Sequence, residues 1–221
     1  MKYKAILFDL DGTIIHTEAF WLAATVQILN KNPDACPILK QELAHQLIGR
    51  ALHDSCRLIK ETLELSESID ELILEKESCA LDLYRDNVTF LKGFETFFLH
   101  ATQDHGLKTA IASNSTLKTL AVAKAEAKLH SFFADHIYSF EHVDKKAKPH
   151  PDLFLHAAKQ LGVAPKECIV IEDSIAGVEA AKAANMFCIR IIDEKTPHKK
   201  SAADITVHEY AEIDLNKIML Q

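Results

Sequence analysis

The 221-residue chain reads as an α/β protein: a parallel sheet covered by helices on both faces, with an all-helical block inserted after the first strand. Three observations predict this. Apolar runs of strand length, unbroken by polar alternation, recur at 3–8, 109–112, 168–171, 187–192 and 205–207; such runs suit strands buried on both faces. Helical segments lie between the later runs, at about 116–130, 151–161 and 174–184, and alternating strands and helices imply parallel pairing. The stretch from about 16 to 87 holds no strand-like run.

The first run ends abruptly in Asp9-Leu10-Asp11-Gly12-Thr13. Helical periodicity then appears in 20–29, 39–47, 58–65 and 69–83, punctuated by Pro33, Pro37 and Gly49. Ser68, with Glu71 three residues later, makes a capping box for the last of these helices. The expected division is therefore a helical domain over 16–87 and an α/β core over 1–15 and 88–221, with hinges near 15–17 and 87–90. The run at 109–112 ends in Ser113-Asn114-Ser115, and that at 168–171 in Glu172-Asp173-Ser174. Pro151 fits a first helical turn, while Gly162 and Asn185 stand where a left-handed residue would stop a helix. Ligands of such sheets sit beyond the carboxyl ends of the strands, where three of these runs terminate in polar clusters.

Composition removes several functional classes. Thirty-two acidic residues against 25 basic ones give a net charge of −7, the wrong sign for non-specific nucleic-acid binding or for a polybasic membrane anchor. No run approaches the ~18 apolar residues of a spanning helix, and the N-terminus lacks the ~7–15-residue apolar stretch of a secretory signal. The cysteines (Cys36, Cys56, Cys79, Cys168 and Cys188) are odd in number and widely spaced, with no CxxC pair. That excludes the usual zinc and redox motifs and points to a reducing cytoplasm. Twelve histidines are scattered without HExxH or HxH spacing. Oligomeric state is left open, a monomer being compatible.

The chemistry lies at the strand ends. Asp9 and Asp11 are two residues apart, so in extended chain both carboxylates project the same way. Like charges this close require a cation or a proton. Asp173, with Glu172 beside it, ends another run; if the two strands are neighbours, three or four carboxylates converge as a hard-cation site better suited to Mg²⁺ than to Zn²⁺. Lys148 precedes Pro149, which disfavours helix at the lysine and leaves it on a loop; Lys145 and Lys146 are its rivals. Ser113 and Ser115 lie near a helix start, where hydroxyls and free N–H groups bind anions. Oxygen-bound metal, a lysine, hydroxyls and a helix start together make a phosphate site, with one carboxylate available as nucleophile and its neighbour as general acid/base. Taken singly, each cluster is also an ordinary turn or helix cap.

Four motifs in order carry a resemblance: Phe8-Asp9-Leu10-Asp11-Gly12-Thr13, Ala112-Ser113-Asn114-Ser115, Lys148-Pro149-His150-Pro151-Asp152, and Ile171-Glu172-Asp173-Ser174 followed by Gly177 and Ala180-Ala181. The chain resembles the haloacid dehalogenase-like superfamily, in its helical-cap phosphatase and β-phosphoglucomutase-like branch. The resemblance implies a Rossmann-like core with the cap at 16–87, closing over the core to exclude water. It implies Asp9 as nucleophile, Asp11 as general acid/base, and Mg²⁺ held by Asp9, the Asp11 carbonyl and Asp173 with help from Glu172. Ser113 and Lys148 would hold the phosphoryl group, with Asn114 near it. The expected activity is Mg²⁺-dependent hydrolysis of a small phosphorylated metabolite through an aspartyl-phosphate.

Two departures bear on the alternative, a phosphomutase acting on a sugar phosphate. Trp21 and Leu52 stand where the mutase subgroup carries a histidine and an arginine, and Arg50 is out of register. A phosphoacceptor signalling module would share the acids, lysine and Mg²⁺ but not the cap or the acid at Asp11; a catalytically silent binding protein would not need every catalytic group. Cap candidates for substrate choice are Trp21, Arg50 and His53, with Trp21 expected to pack within the cap. His16, just past the first motif, is either a cleft residue or a solvent-facing one.

Overall fold

The computed structural model describes residues 2–33, 36–47, 52–85, 87–192 and 200–220. They fall into two compact units, Met1–His16 with Val88–Gln221, and Thr17–Asn87. Gly49 and Arg50 lie outside the described residues.

The chain opens with strand β1 (Ala5–Phe8) and then builds the second unit from four helices: α1 (Glu18–Leu29), α2 (Pro37–Leu47), α3 (Leu52–Leu63) and α4 (Ile69–Tyr84). They enclose a core that includes Ile28, Leu43, Leu47, Ile59, Leu63 and Leu72. Helix α3 begins six residues before the expected 58. Its buried stripe already runs through Ser55, Cys56 and Ile59, but the polar first turn disguises it in the sequence. Helix α4 carries the expected capping box: Ser68 Oγ accepts from Glu71 N at 3.2 Å, and the Glu71 carboxylate accepts from Ser68 N at 2.8 Å. Lys31 pairs with Glu67 and Glu75, at 2.8 and 2.5 Å. Trp21 packs within this unit, its ring edge-on to Tyr84, and His53 is exposed.

The first unit continues with α5 (Phe94–Leu99), prolonged by a π turn over His100–Asp104, then β2 (Lys108–Ser113), α6 (Leu117–Glu126), α7 (His130–Phe133), β3 (Ile137–Ser139), α8 (Asp152–Leu161), β4 (Cys168–Glu172), α9 (Ile175–Ala183), β5 (Phe187–Ile191), β6 (Ile205–Val207) and α10 (Leu215–Met219). The six strands pair in the order β3-β2-β1-β4-β5-β6, every ladder parallel. The segment expected as one helix over 116–130 is two, because Lys128 takes a left-handed φ of +50°. Gly162 and Asn185 hold the left-handed stops expected of them, at φ +66° and +55°. Strand β3, three residues at the sheet edge, is an addition that no apolar run announces.

Side chains alternate along β1. Ala5 and Leu7 join the core against α8 and α9, with Leu153, Phe154, Ala157, Val178 and Ala181. Phe8 faces the opposite layer, where Phe94, Phe97, Phe98 and Phe133 surround its ring at centroid distances of 5.7–6.4 Å. Burial on both faces explains the uninterrupted apolar strands. Central β1 pairs with β2 on one side and β4 on the other, so the strand order reverses at its carboxyl end. That is where open parallel sheets hold ligands. Among the described residues, no helix is long and apolar enough to cross a membrane.

Candidate active site

Asp9 is the first residue beyond β1. The register Phe8↔Ile171 sets it beside Glu172 at the end of β4, and its N–H donates to the Ile171 carbonyl at 2.9 Å. Glu172 is 1% exposed and both its oxygens are used: Oε1 accepts from Lys148 Nζ at 2.8 Å, and Oε2 from Ser174 N and Oγ at 2.6 and 2.9 Å. Ser174 caps α9, its Oγ accepting from Gly177 N at 3.0 Å. Gly177 is dictated by space, since a Cβ there would lie 1.7 Å from Glu172 Oε1.

Lys148 is buried, with Nζ 2.5 Å from Asp9 Oδ1 and 4.8 Å from the centre of the Phe154 ring. Its main chain is gripped by Asn114, whose Oδ1 accepts from Lys148 N at 2.9 Å and whose Nδ2 donates to the Lys148 carbonyl at 3.4 Å. The loop after β2 thus fixes the loop that presents the lysine. Lys145 is exposed, and Lys146 pairs at the surface with Asp152 at 2.9 Å. Only Lys148, of the three, reaches the acids among the described contacts.

Asp11 is partly exposed, and its Oδ2 accepts from Ser115 Oγ at 2.7 Å. Ser113, buried at the end of β2, accepts from Ser115 N at 3.0 Å. Asp173 is wedged against the turn after β1. A Cβ on Gly12, whose φ is +82°, would lie 2.6 Å from Asp173 Oδ2, and Thr13 Oγ1 donates to Asp173 Oδ1 at 3.4 Å. Asp9, Glu172 and Asp173 each place one carboxylate oxygen within 4.8 Å of the others. An all-oxygen, carboxylate-rich donor set of this kind fits a hard divalent cation. The Asp11 carboxylate, turned toward Ser115, is not one of those three.

Burial pushes Asp9 up to about 7, with Glu172 and Asp11 adding to the rise and Lys148 opposing it. Burial also works against the charge on Lys148, but Asp9 and Glu172 outweigh it and hold the ammonium well above its ordinary range. Burial thus favours the protonated form of Asp9, while the two neighbouring carboxylates favour the charged form of Lys148.

Two contributors, Arg190 and Tyr210, escaped the sequence reading, and Thr13 entered it only as part of the first motif. Arg190, buried on β5, donates from Nε to the Asp173 carbonyl at 2.9 Å; its signal is a charge in the middle of an apolar run. Thr13 touches Asp173, and Tyr210, fully buried, donates from its hydroxyl to the Thr13 carbonyl at 2.9 Å. Nothing local in the sequence marks Tyr210, because the contact spans almost the whole chain.

The profile of the haloacid dehalogenase-like hydrolases matches residues 3–185. The bifunctional riboflavin kinase/FMN phosphatase of Arabidopsis thaliana is 31% identical over 97% of this chain, which spans 55% of that protein's length. Hexitol phosphatase A of Escherichia coli (strain K12) is 25% identical, with 98% of this chain and 96% of the relative aligned. The crystal structure of a family IA, variant 3 hydrolase from Entamoeba histolytica superimposes with a TM-score of 0.81 at 24% identity, covering 97% of each chain. With the match spanning most of its length and all four motifs, the chain belongs to the haloacid dehalogenase-like hydrolases.

Proposed function

We propose that this hydrolase is a phosphatase that releases phosphate from small phosphate monoesters through an aspartyl-phosphate on Asp9. The observation that carries the reading is the buried triad in which Lys148 Nζ bridges Asp9 and Glu172 at 2.5 and 2.8 Å. A dianionic phosphate approaching a carboxylate is repelled, and phosphoryl transfer is mainly a matter of positioning and charge neutralisation. Phosphatase relatives aligned over nearly this whole chain add support.

In this reading Asp9, ionised and held in line by its bond to Ile171 and by Lys148, attacks phosphorus. Lys148 neutralises charge on the transferring group, and Ser113 at the end of β2 offers its hydroxyl to the phosphoryl oxygens. Asn114 acts chiefly by fixing the Lys148 main chain, the partner its amide already has. Asp11 gives its proton to the leaving oxygen, then takes one from the water that cleaves the acyl phosphate; Ser115 orients it for both tasks. Asp9, the Asp11 carbonyl and Asp173 would hold Mg²⁺, with Glu172 fixing the geometry through Lys148 and Ser174. Bound there, the ion would supply charge neutralisation and polarise the phosphoryl oxygens.

The helical unit at 17–87 is assigned as the cap that sets substrate choice, and the α/β unit as the catalytic core. The substrate class is small phosphorylated metabolites, with no role for nucleic acid or membrane. The five free thiols suit a reducing cytoplasm. Phosphate release from a panel of sugar phosphates, phosphoglycolate and nucleoside monophosphates, with Mg²⁺ or with EDTA, tests the reading. Mg²⁺-dependent release lost in Asp9→Asn is the expected result. Isomerised sugar phosphate that appears only with a bisphosphate activator, or full activity in Asp9→Asn, would refute it.

A further inference from the structure

We propose that Arg190 is a positioning residue for Asp173, and through it a determinant of divalent-cation affinity at the carboxylate cluster. The inference rests on the metal reading above. β5 lies directly beside β4, with Arg190 in register with Glu172, and Arg190 is only 4% exposed. Among the described residues of that strand, Phe187-Cys188-Ile189-Arg190-Ile191, it is the sole charged one. A buried guanidinium is costly unless hydrogen-bonded, and its Nε is spent on the Asp173 carbonyl at 2.9 Å. Asp173 is thereby held from two sides. Its main chain is tied by Arg190, and its carboxylate is confined by Gly12 and Thr13. Partners behind a metal-binding carboxylate set its orientation, and losing one typically costs 10–100-fold in metal affinity.

The charge on Arg190 acts in the opposite sense. A cation this near should repel a second cation, so removing charge alone would tighten metal binding. The two effects therefore predict opposite signs, and the hydrogen bond is assigned the larger one.

The test titrates Mn²⁺ into substrate-free protein, following free ion by electron paramagnetic resonance, for wild type, Arg190→Gln and Arg190→Lys. Metal-free thermal unfolding identifies the folded variants. Weakening of about tenfold is expected in Arg190→Gln. Arg190→Lys, which keeps the charge but not the planar fork, should fall between it and wild type. Unchanged or tighter Mn²⁺ binding in either folded variant overturns the inference, as does a loss of kcat that excess metal fails to restore. If neither variant folds, Arg190 is structural and the inference fails. Wild-type protein that binds no Mn²⁺ overturns the metal reading itself, and this inference with it.

Discussion

Lys148 and Asp9 meet 2.5 Å apart in a site where the lysine side chain is 2% exposed and the carboxylate side chain 10%. The pair closes a contact across 139 residues, joining the loop before α8 to the end of the central strand. Its arrangement supplies the first expectations.

Asp9→Asn keeps the side-chain shape but removes the nucleophile. Phosphatase turnover should fall by about a thousandfold or more, as loss of a nucleophile acting in a unit commonly does. Single-turnover assays with a radiolabelled phosphate ester should find no acid-stable phosphoprotein in the variant.

Lys148→Met leaves Asp9 and Glu172 buried without their shared cation. Removing one partner of a buried ion pair costs about 3–5 kcal/mol, so the urea midpoint should drop markedly. Turnover should fall by about a hundredfold or more. Wild-type stability in Lys148→Met would show that the triad is not balanced as described.

The pH dependence follows from Asp9. Its carboxyl is raised from 3.8 to about 7, chiefly by burial, so between those values the folded metal-free protein binds more protons than the unfolded chain. The stabilisation from this group is complete below 3.8 and is lost as pH rises to about 7. Urea midpoints of EDTA-treated protein should therefore decline across that window relative to those of Asp9→Asn. Mg²⁺ requires the ionised carboxylate, so its stabilising effect should grow from pH 6 to 8.

Gly177→Ala drives a methyl group into the Glu172 carboxylate, 1.7 Å from Oε1. Either α9 or Glu172 must shift. Overpacking of this kind costs about 1–3 kcal/mol, and the shift should also disturb Lys148. Differential scanning calorimetry and kcat should fall together.

Ser68→Ala provides a contrast in the other unit. Loss of the N-cap on α4 should cost about 1 kcal/mol, read from the urea midpoint, while kcat is unchanged.

The legible parts of the fold were those written locally. The apolar runs before Asp9, Ser113 and Glu172 announced β1, β2 and β4 because strands covered on both faces cannot hide their composition. Edge strand β3 needs no such run, and the π turn after α5 leaves no simple period. Strand-end position brought Asp9, Asp11, Glu172 and Asp173 together in the sequence, and Pro149 singled out the lysine that is buried from its two exposed neighbours. Asn114 gripping the Lys148 main chain, and Ser115 turning the Asp11 carboxylate aside, depend on loops from separate strands meeting; no local pattern encodes that. Arg190 did leave a trace, a charge in an otherwise apolar strand, whereas Tyr210 left none.

The hydroxyl of Tyr210 on the Thr13 carbonyl has a practical consequence for anyone trimming this protein. The recognisable family region stops at residue 185, yet the phenol that steadies the turn bearing Asp11 and Gly12 comes 25 positions later. An excised version cut at that boundary would forfeit two strands of the sheet and this distant clasp, and would be a poor surrogate in any assay.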